Sequence, residues 1–277
     1  MKKRTSTILT VAVMIVGAGL LLYPIVSDRI NRMNSARVIS EYNEIAENLA
    51  QEEKEEMIQR ARDYNTELYN TPGSFEHPEN IDGYTDILDI TGTGIMGYIE
   101  IEKIGVNLPI YHGVEKEVLQ IGAGHLPGSS FPVGGENTHC VLSGHRGLPS
   151  SKLFTDLDEL EIGDRFVITV LDTRLVYQVD QIEVVLPTET SSLHIVEGGD
   201  YCTLVTCTPY GINTHRLLVR GVRVEDDGSY IATDAPNEAI KIDTFFVSLA
   251  FGTPPVIILM ICVVAEANKK TKKGSSK

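Results

Sequence analysis

Uncharged, mostly apolar residues run from Ile8 to Val26 and again from Thr244 to Ala265. Each run approaches the ~20 residues that an α-helix needs to cross a bilayer. Between them the hydrophobic period changes. Val38, Tyr42, Ile45 and Leu49 recur at helical steps, and Met57, Ala61, Tyr64 and Leu68 repeat that spacing beyond the charged stretch 51–56. This predicts two helical pieces or one long bent helix. From Asn70 to Gly94, Pro, Gly, Asn and Asp mix with scattered aromatics, the texture of a loop-rich connector. From Gly94 to Glu225 short β-type runs follow one another between Gly, Pro and Asp: 97–101, 107–111, 139–143, 165–171, 174–185, 201–207 and 216–224. Many short strands at this spacing predict a closed or nearly closed β-barrel. Asp172-Thr173 reads as a tight hairpin turn. Residues 150–160 read as one short helix with Leu153, Leu157 and Leu160 on one side.

Charge orients this plan. Lys2, Lys3 and Arg4 precede the first apolar run, and Lys269, Lys270, Lys272, Lys273 and Lys277 follow the second. The positive-inside rule therefore puts both termini in the cytoplasm and the middle of the chain outside. The first run outlasts the ~7–15-residue core of a signal peptide and shows no clear Ala-x-Ala site, which favours an uncleaved anchor. The chain carries 24 Lys+Arg against 38 Asp+Glu, a net charge of −14. With so many of the bases in the tails, the middle is more acidic still, which argues against nucleic acid as a partner. The predicted segments are a basic tail and anchor (1–28), a helical region (29–70), a connector (71–93), the barrel (94–226) and a linker (227–243). A second membrane helix (244–265) and a basic tail (266–277) complete them.

Four cysteines are too few for a disulfide scaffold. Cys202 and Cys207, five apart on one strand, point to opposite faces and do not easily bridge. No Cys-x-x-Cys or His-Glu-x-x-His spacing marks a metal site. Cys207 stands at the end of its strand, because Pro209 in Thr208-Pro209-Tyr210-Gly211 cannot continue a central ladder. The chain then returns through 212–215, so an antiparallel hairpin brings Arg216 beside Cys207. A thiol next to a guanidinium suits acyl transfer: the sulfur attacks a carbonyl and the cation donates hydrogen bonds to the oxyanion. The departing amine needs an acid. Of seven histidines, His145 has the best setting, in the flexible turn Gly144-His-Arg-Gly147 after the strand-like 140–143. His215 is its rival, but as the neighbour of Arg216 it should face the other way. His112, His125, His139 and His194 are assigned to structure, and His77 to the connector. The plainer alternatives are a small core cysteine and a surface ion pair for Arg216.

Thr203-Leu-Val-Thr-Cys207 followed by Thr-Pro-Tyr-Gly-Ile-Asn-Thr-His-Arg216 resembles the active-site signature of sortases, and Ser143-Gly-His145-Arg-Gly resembles their histidine segment. Met96-Gly-Tyr-Ile-Glu-Ile and Leu108-Pro-Ile-Tyr-His-Gly are similar to the family's opening strands. The resemblance, which runs from about Gly94 to Val224, implies an eight-stranded sortase β-barrel with Cys207, His145 and Arg216 as the catalytic group. It implies a membrane-tethered cysteine transpeptidase of Gram-positive cells that cuts a Leu-Pro-x-Thr-Gly-like signal between Thr and Gly, with no metal or organic cofactor. The second membrane run, the 213–216 stretch and the N-terminal helices resemble the pilin-polymerising class C, in which a lysine of another pilin accepts the acyl group. That class often carries an inhibitory lid with Asp-Pro-Trp or Asp-Pro-Phe. Here the connector offers Ser74-Phe75-Glu76-His77-Pro78, so Phe75 is the lid candidate. The alternatives are a housekeeping sortase acting on a cell-wall precursor, a cysteine peptidase, and a non-catalytic membrane-tethered assembly module.

Overall fold

The computed structural model describes residues 2–228; the predicted second membrane run, 244–265, lies outside them. Helix α1 runs Lys2–Asn48 and α2 Gln51–Asn70, so the helical region is two helices. They part at Ala50, whose backbone is extended. The Glu53 carboxylate accepts the Ala50 N–H at 3.2 Å, and Glu52 and Glu53 place negative charge at the positive end of α2. Val13–Asn48 is the one helix among the described residues long and apolar enough to cross a bilayer. In its apolar part Val13, Val16, Leu20 and Leu21 are exposed.

A compact unit begins at Ile30. Its centre is a closed barrel of eight strands in the order β1-β2-β3-β4-β7-β8-β6-β5. The strands are β1 Ile95–Ile101, β2 Val106–His112, β3 Ala123–His125, β4 Thr138–Ser143, β5 Arg165–Val170, β6 Thr173–Val185, β7 Asp200–Thr208 and β8 His215–Val224. β2/β3 and β4/β7 pair in parallel, and the other neighbours are antiparallel. Met96, Ile99, Ile110, Leu142, Phe166, Ile168, Leu204, Leu217 and Val219 fill the interior, and Tyr42, Ala46, Ala61, Tyr64 and Leu68 of the two helices join the same cluster. Full burial of a large apolar side chain contributes roughly 1.5–3 kcal/mol, so the helices belong to the core.

Three expectations change. β3 was not among the predicted strands. The two-residue hairpin turn is Leu171-Asp172, not Asp172-Thr173, because Val170 pairs with Thr173. Leu171 sits at φ 53°, a conformation that disfavours leucine. It is held there by burial of its side chain and by donation of its N–H to the Tyr42 hydroxyl at 2.9 Å. Residues 150–160 are not one helix: they form turns and a short 3-10 element, Leu157–Glu159, with Leu153 at φ 42°. Leu153, Leu157 and Leu160 are nevertheless all buried.

The connector is a packed strap with two 3-10 turns, Pro78–Asn80 and Tyr84–Asp86. Ile81, Ile87 and Leu88 enter the core. The Tyr84 hydroxyl donates to the His125 carbonyl at 2.9 Å and accepts the Gly113 N–H at 2.9 Å. The strap crosses the barrel at Gly128, where a Cβ would come within 2.6 Å of the Phe75 carbonyl oxygen.

The histidines assigned to structure have structural partners. His112 bridges the carbonyls of Gly94 and Ile87, and His194 meets Glu76 at 3.1 Å. His139 is almost fully buried, bonded to the His194 carbonyl at 2.9 Å and to the Thr203 hydroxyl at 2.7 Å. Burial is the main cause that lowers its pKa to about 4. Unfolding restores an ordinary imidazole near 6.5, so the unfolded chain binds the extra proton between those values. Stability is then full above pH 6.5 and falls as the pH drops towards 4, by about 3 kcal/mol from this group. Urea unfolding across that range should show this slope, and His139→Gln should flatten it.

Candidate active site

The outer face of β4, β7, β8 and β6 carries the site. β4 and β7 run in parallel with Val141 level with Thr203 and Ser143 level with Val205. The ladder continues as Gly144 N–H donates to the Val205 carbonyl at 3.0 Å, so the next residue, His145, comes level with Cys207. On the other side, β8 pairs Cys207 with Arg216 and Thr208 with His215. Residues opposed in a ladder share a face, so Cys207 and Arg216 share one face, which the His145 turn adjoins, while His215 is turned to the other side. Arg216 is flanked on β6 by Val185. The three predicted residues therefore stand at neighbouring strand ends, with Cys207 and Arg216 on the outside of the barrel and not towards its lumen.

Each member is held from its own side. Cys207 is partly buried, whereas Cys140 and Cys202, also free thiols, are sealed inside the barrel. Arg216 donates from Nη1 to the carbonyls of Asn213 (3.4 Å) and His215 (3.1 Å), and among the described residues no carboxylate pairs with it. A cation anchored by neutral carbonyls keeps its charge available for an incoming anion. The His145 turn is fixed by Thr206, whose side chain faces away from Cys207 and whose hydroxyl donates to the Gly144 carbonyl at 2.7 Å. It is fixed again where Phe154 N–H donates to the His145 carbonyl at 3.1 Å. Gly144 lies against the Phe154 ring, 2.5 Å from where a Cβ would stand.

Burial, and after it the positive charge of Lys116, lower the pKa of His145. The ring is therefore neutral at neutral pH and able to accept a proton. A ring-proton NMR titration of the Cys207→Ala protein should give a midpoint for His145 below 6.5. In Lys116→Gln the midpoint should rise, by less at high salt, because Lys116 is exposed.

The floor leading to Cys207 is apolar: Val141, Leu193, Val205 and Leu218 form a second buried cluster, with Phe75, Leu126 and Val185 packed on it. The Phe75 ring also lies 4.7 Å from that of His194. One residue at the site escaped sequence reasoning. The Arg146 guanidinium is nearly buried and contacts the segment after Cys207; its position beside His145 was the only signal. No cluster of metal-binding side chains occurs among the described residues.

This barrel and its outward-facing constellation define a class of protein that comparison with known chains identifies. A sortase-domain model matches residues 99–224. The crystal structure of sortase C1 from Streptococcus agalactiae is 47% identical, with a TM-score of 0.63, covering 69% of this chain and 100% of that one. A sortase C from Streptococcus pneumoniae is 44% identical, with a TM-score of 0.63, over 68% of this chain and 97% of that one. Sortase D of Bacillus subtilis (strain 168) is 32% identical over 131 residues, 46% of this chain and 63% of that protein, so the match spans under two thirds of this curated relative. The chain belongs to the sortase family.

Proposed function

We propose that the protein is a membrane-anchored cysteine transpeptidase that polymerises pilins. The observation that supports the reaction is the ladder register, which pairs Cys207 with Arg216 and ends β4 beside β7 two residues before His145. Cys207 attacks the threonyl carbonyl of a Leu-Pro-x-Thr-Gly-like signal. His145 takes the thiol proton and delivers it to the leaving glycine amine, while Arg216 hydrogen-bonds the tetrahedral oxyanion. The thioester then passes to an amine, with His145 accepting the proton that the amine gives up. The pilin assignment is supported by the likeness to sortases C, one of them a Streptococcus pneumoniae enzyme described in terms of pilin substrate specificity. The long apolar N-terminal helix supports an anchor, and the apolar run 244–265 with basic residues at both ends of the chain supports a second span and a catalytic unit outside the cell.

The test is incubation of the full chain in detergent with pilins that carry both a sorting signal and lysines. Covalent ladders are expected. Hydrolysis alone would mark a peptidase, and transfer only to a cell-wall precursor amine would mark a housekeeping sortase.

Phe75 is read as the lid residue. It packs on the cluster of Val141, Leu193, Val205 and Leu218, in which Val205 stands two residues before Cys207. Phe75→Ala should uncover that floor and speed alkylation of Cys207 by a small thiol reagent, by several-fold. An unchanged rate would remove the strap from this role.

A further inference from the structure

Between the two segments that carry the reacting side chains lies one guanidinium. We propose that Arg146 is a positioning residue, tying the turn that carries His145 to the strand end that carries Cys207. The inference rests on the reading of Cys207 and His145 as the reacting pair.

Arg146 follows His145 directly, and its side chain is only 9% exposed. Nη1 donates to the hydroxyl oxygen of Thr208, the residue after Cys207, at 3.1 Å. Nη2 donates to the Asp158 carboxylate. The guanidinium carbon lies 5.9 Å from the centre of the Tyr210 ring, in the turn that follows the Cys207 strand, and Gly147 packs against that ring. Nε is buried without a hydrogen-bond partner among the described residues. Burying a guanidinium costs free energy unless its partners are well placed, so this arginine is poorly explained as a surface charge.

The geometry gives each contact a task. Asp158 orients the planar fork, Thr208 receives one prong, and Tyr210 covers its face. Both reacting side chains are thereby fixed through their immediate neighbours. No backbone hydrogen bond joins β4 to β7 beyond Gly144–Val205 among the described residues, so Arg146 continues the connection by side chain where the ladder stops. Lysine offers no fork and cannot engage Asp158 and Thr208 with the same directed geometry.

The test compares the full chain in detergent with Arg146→Met, Thr208→Val and the double variant. Cleavage of a sorting-signal peptide and alkylation of Cys207 across pH are measured for each. Loss of positioning should lower kcat by about 10–100-fold, with KM within about twofold. The pH profile of Cys207 alkylation should shift towards that of His145→Ala, since the thiol no longer shares its environment with the imidazole. Thr208→Val keeps the shape of threonine and guards against simple misfolding. It should produce a smaller loss of the same kind, and the double variant should be no worse than Arg146→Met alone. Arg146→Lys should not restore kcat. Activity of Arg146→Met within about threefold of the parent would overturn the proposal. So would fully additive losses, or a fall in rate with an unshifted alkylation profile. Failure of the underlying reading is separate: cleavage that persists in Cys207→Ala, or an alkylation profile that His145→Ala leaves unmoved.

Discussion

Cys207→Ala should lose peptide cleavage by roughly 10⁴-fold or more in kcat, with substrate binding retained. The size of the loss follows from the absence of a substitute. Cys140 and Cys202 are the other thiols among the described residues, and both are buried inside the barrel. The fold should survive, because Cys207 is only partly buried at a strand end and contributes nothing to the interior cluster. A thermal midpoint close to the parent's, together with the lost cleavage, would separate chemistry from stability. Substantial turnover by the alanine protein would end the assignment of the nucleophile.

Arg216→Lys should cost about 10²–10³-fold in kcat, the scale of removing an oxyanion donor. The substitution keeps the charge but removes the fork. In the parent, Nη1 is already engaged by the carbonyls of Asn213 and His215, which aims the guanidinium and leaves further N–H groups for the oxyanion. An ammonium bound to those carbonyls has no second, fixed donor to offer. The expected signature is a fall in kcat with KM little changed, since the oxyanion exists only in the transition state. Activity equal to the parent's would mean that charge alone is required.

Much of this architecture was legible along the chain because local chemistry decides it. Seven of the eight strands were marked by β-branched runs between turn residues. The β7–β8 hairpin, which delivers Arg216 to Cys207, followed from Pro209 and a short return. β3 escaped because Ala123-Gly124-His125 is too short to show a period. The leucines of 150–160 imitated a helix: their burial was foreseeable, but the turns that place them were not. The outward direction of the site was also hidden. Val141, Val205 and Leu218 on the outer face are apolar and buried, like Leu142, Leu204 and Val219 within, so these stretches show no polar alternation from which inside and outside could be told.

By itself the sequence determined most of the elements and the candidates for the reacting groups. The first depends on spacing and turn chemistry within a few residues, and the second on a cysteine, a histidine and an arginine placed at strand ends. Only the tertiary structure decided that His145 stands level with Cys207, because β4 and β7 are parallel neighbours joined across more than fifty residues of chain, and no local pattern encodes such a register. It also decided that Arg146 points back to Thr208 and not to water. Whether a buried cation is tolerated depends on partners that come from other strands and turns, and those are defined only once the barrel has closed.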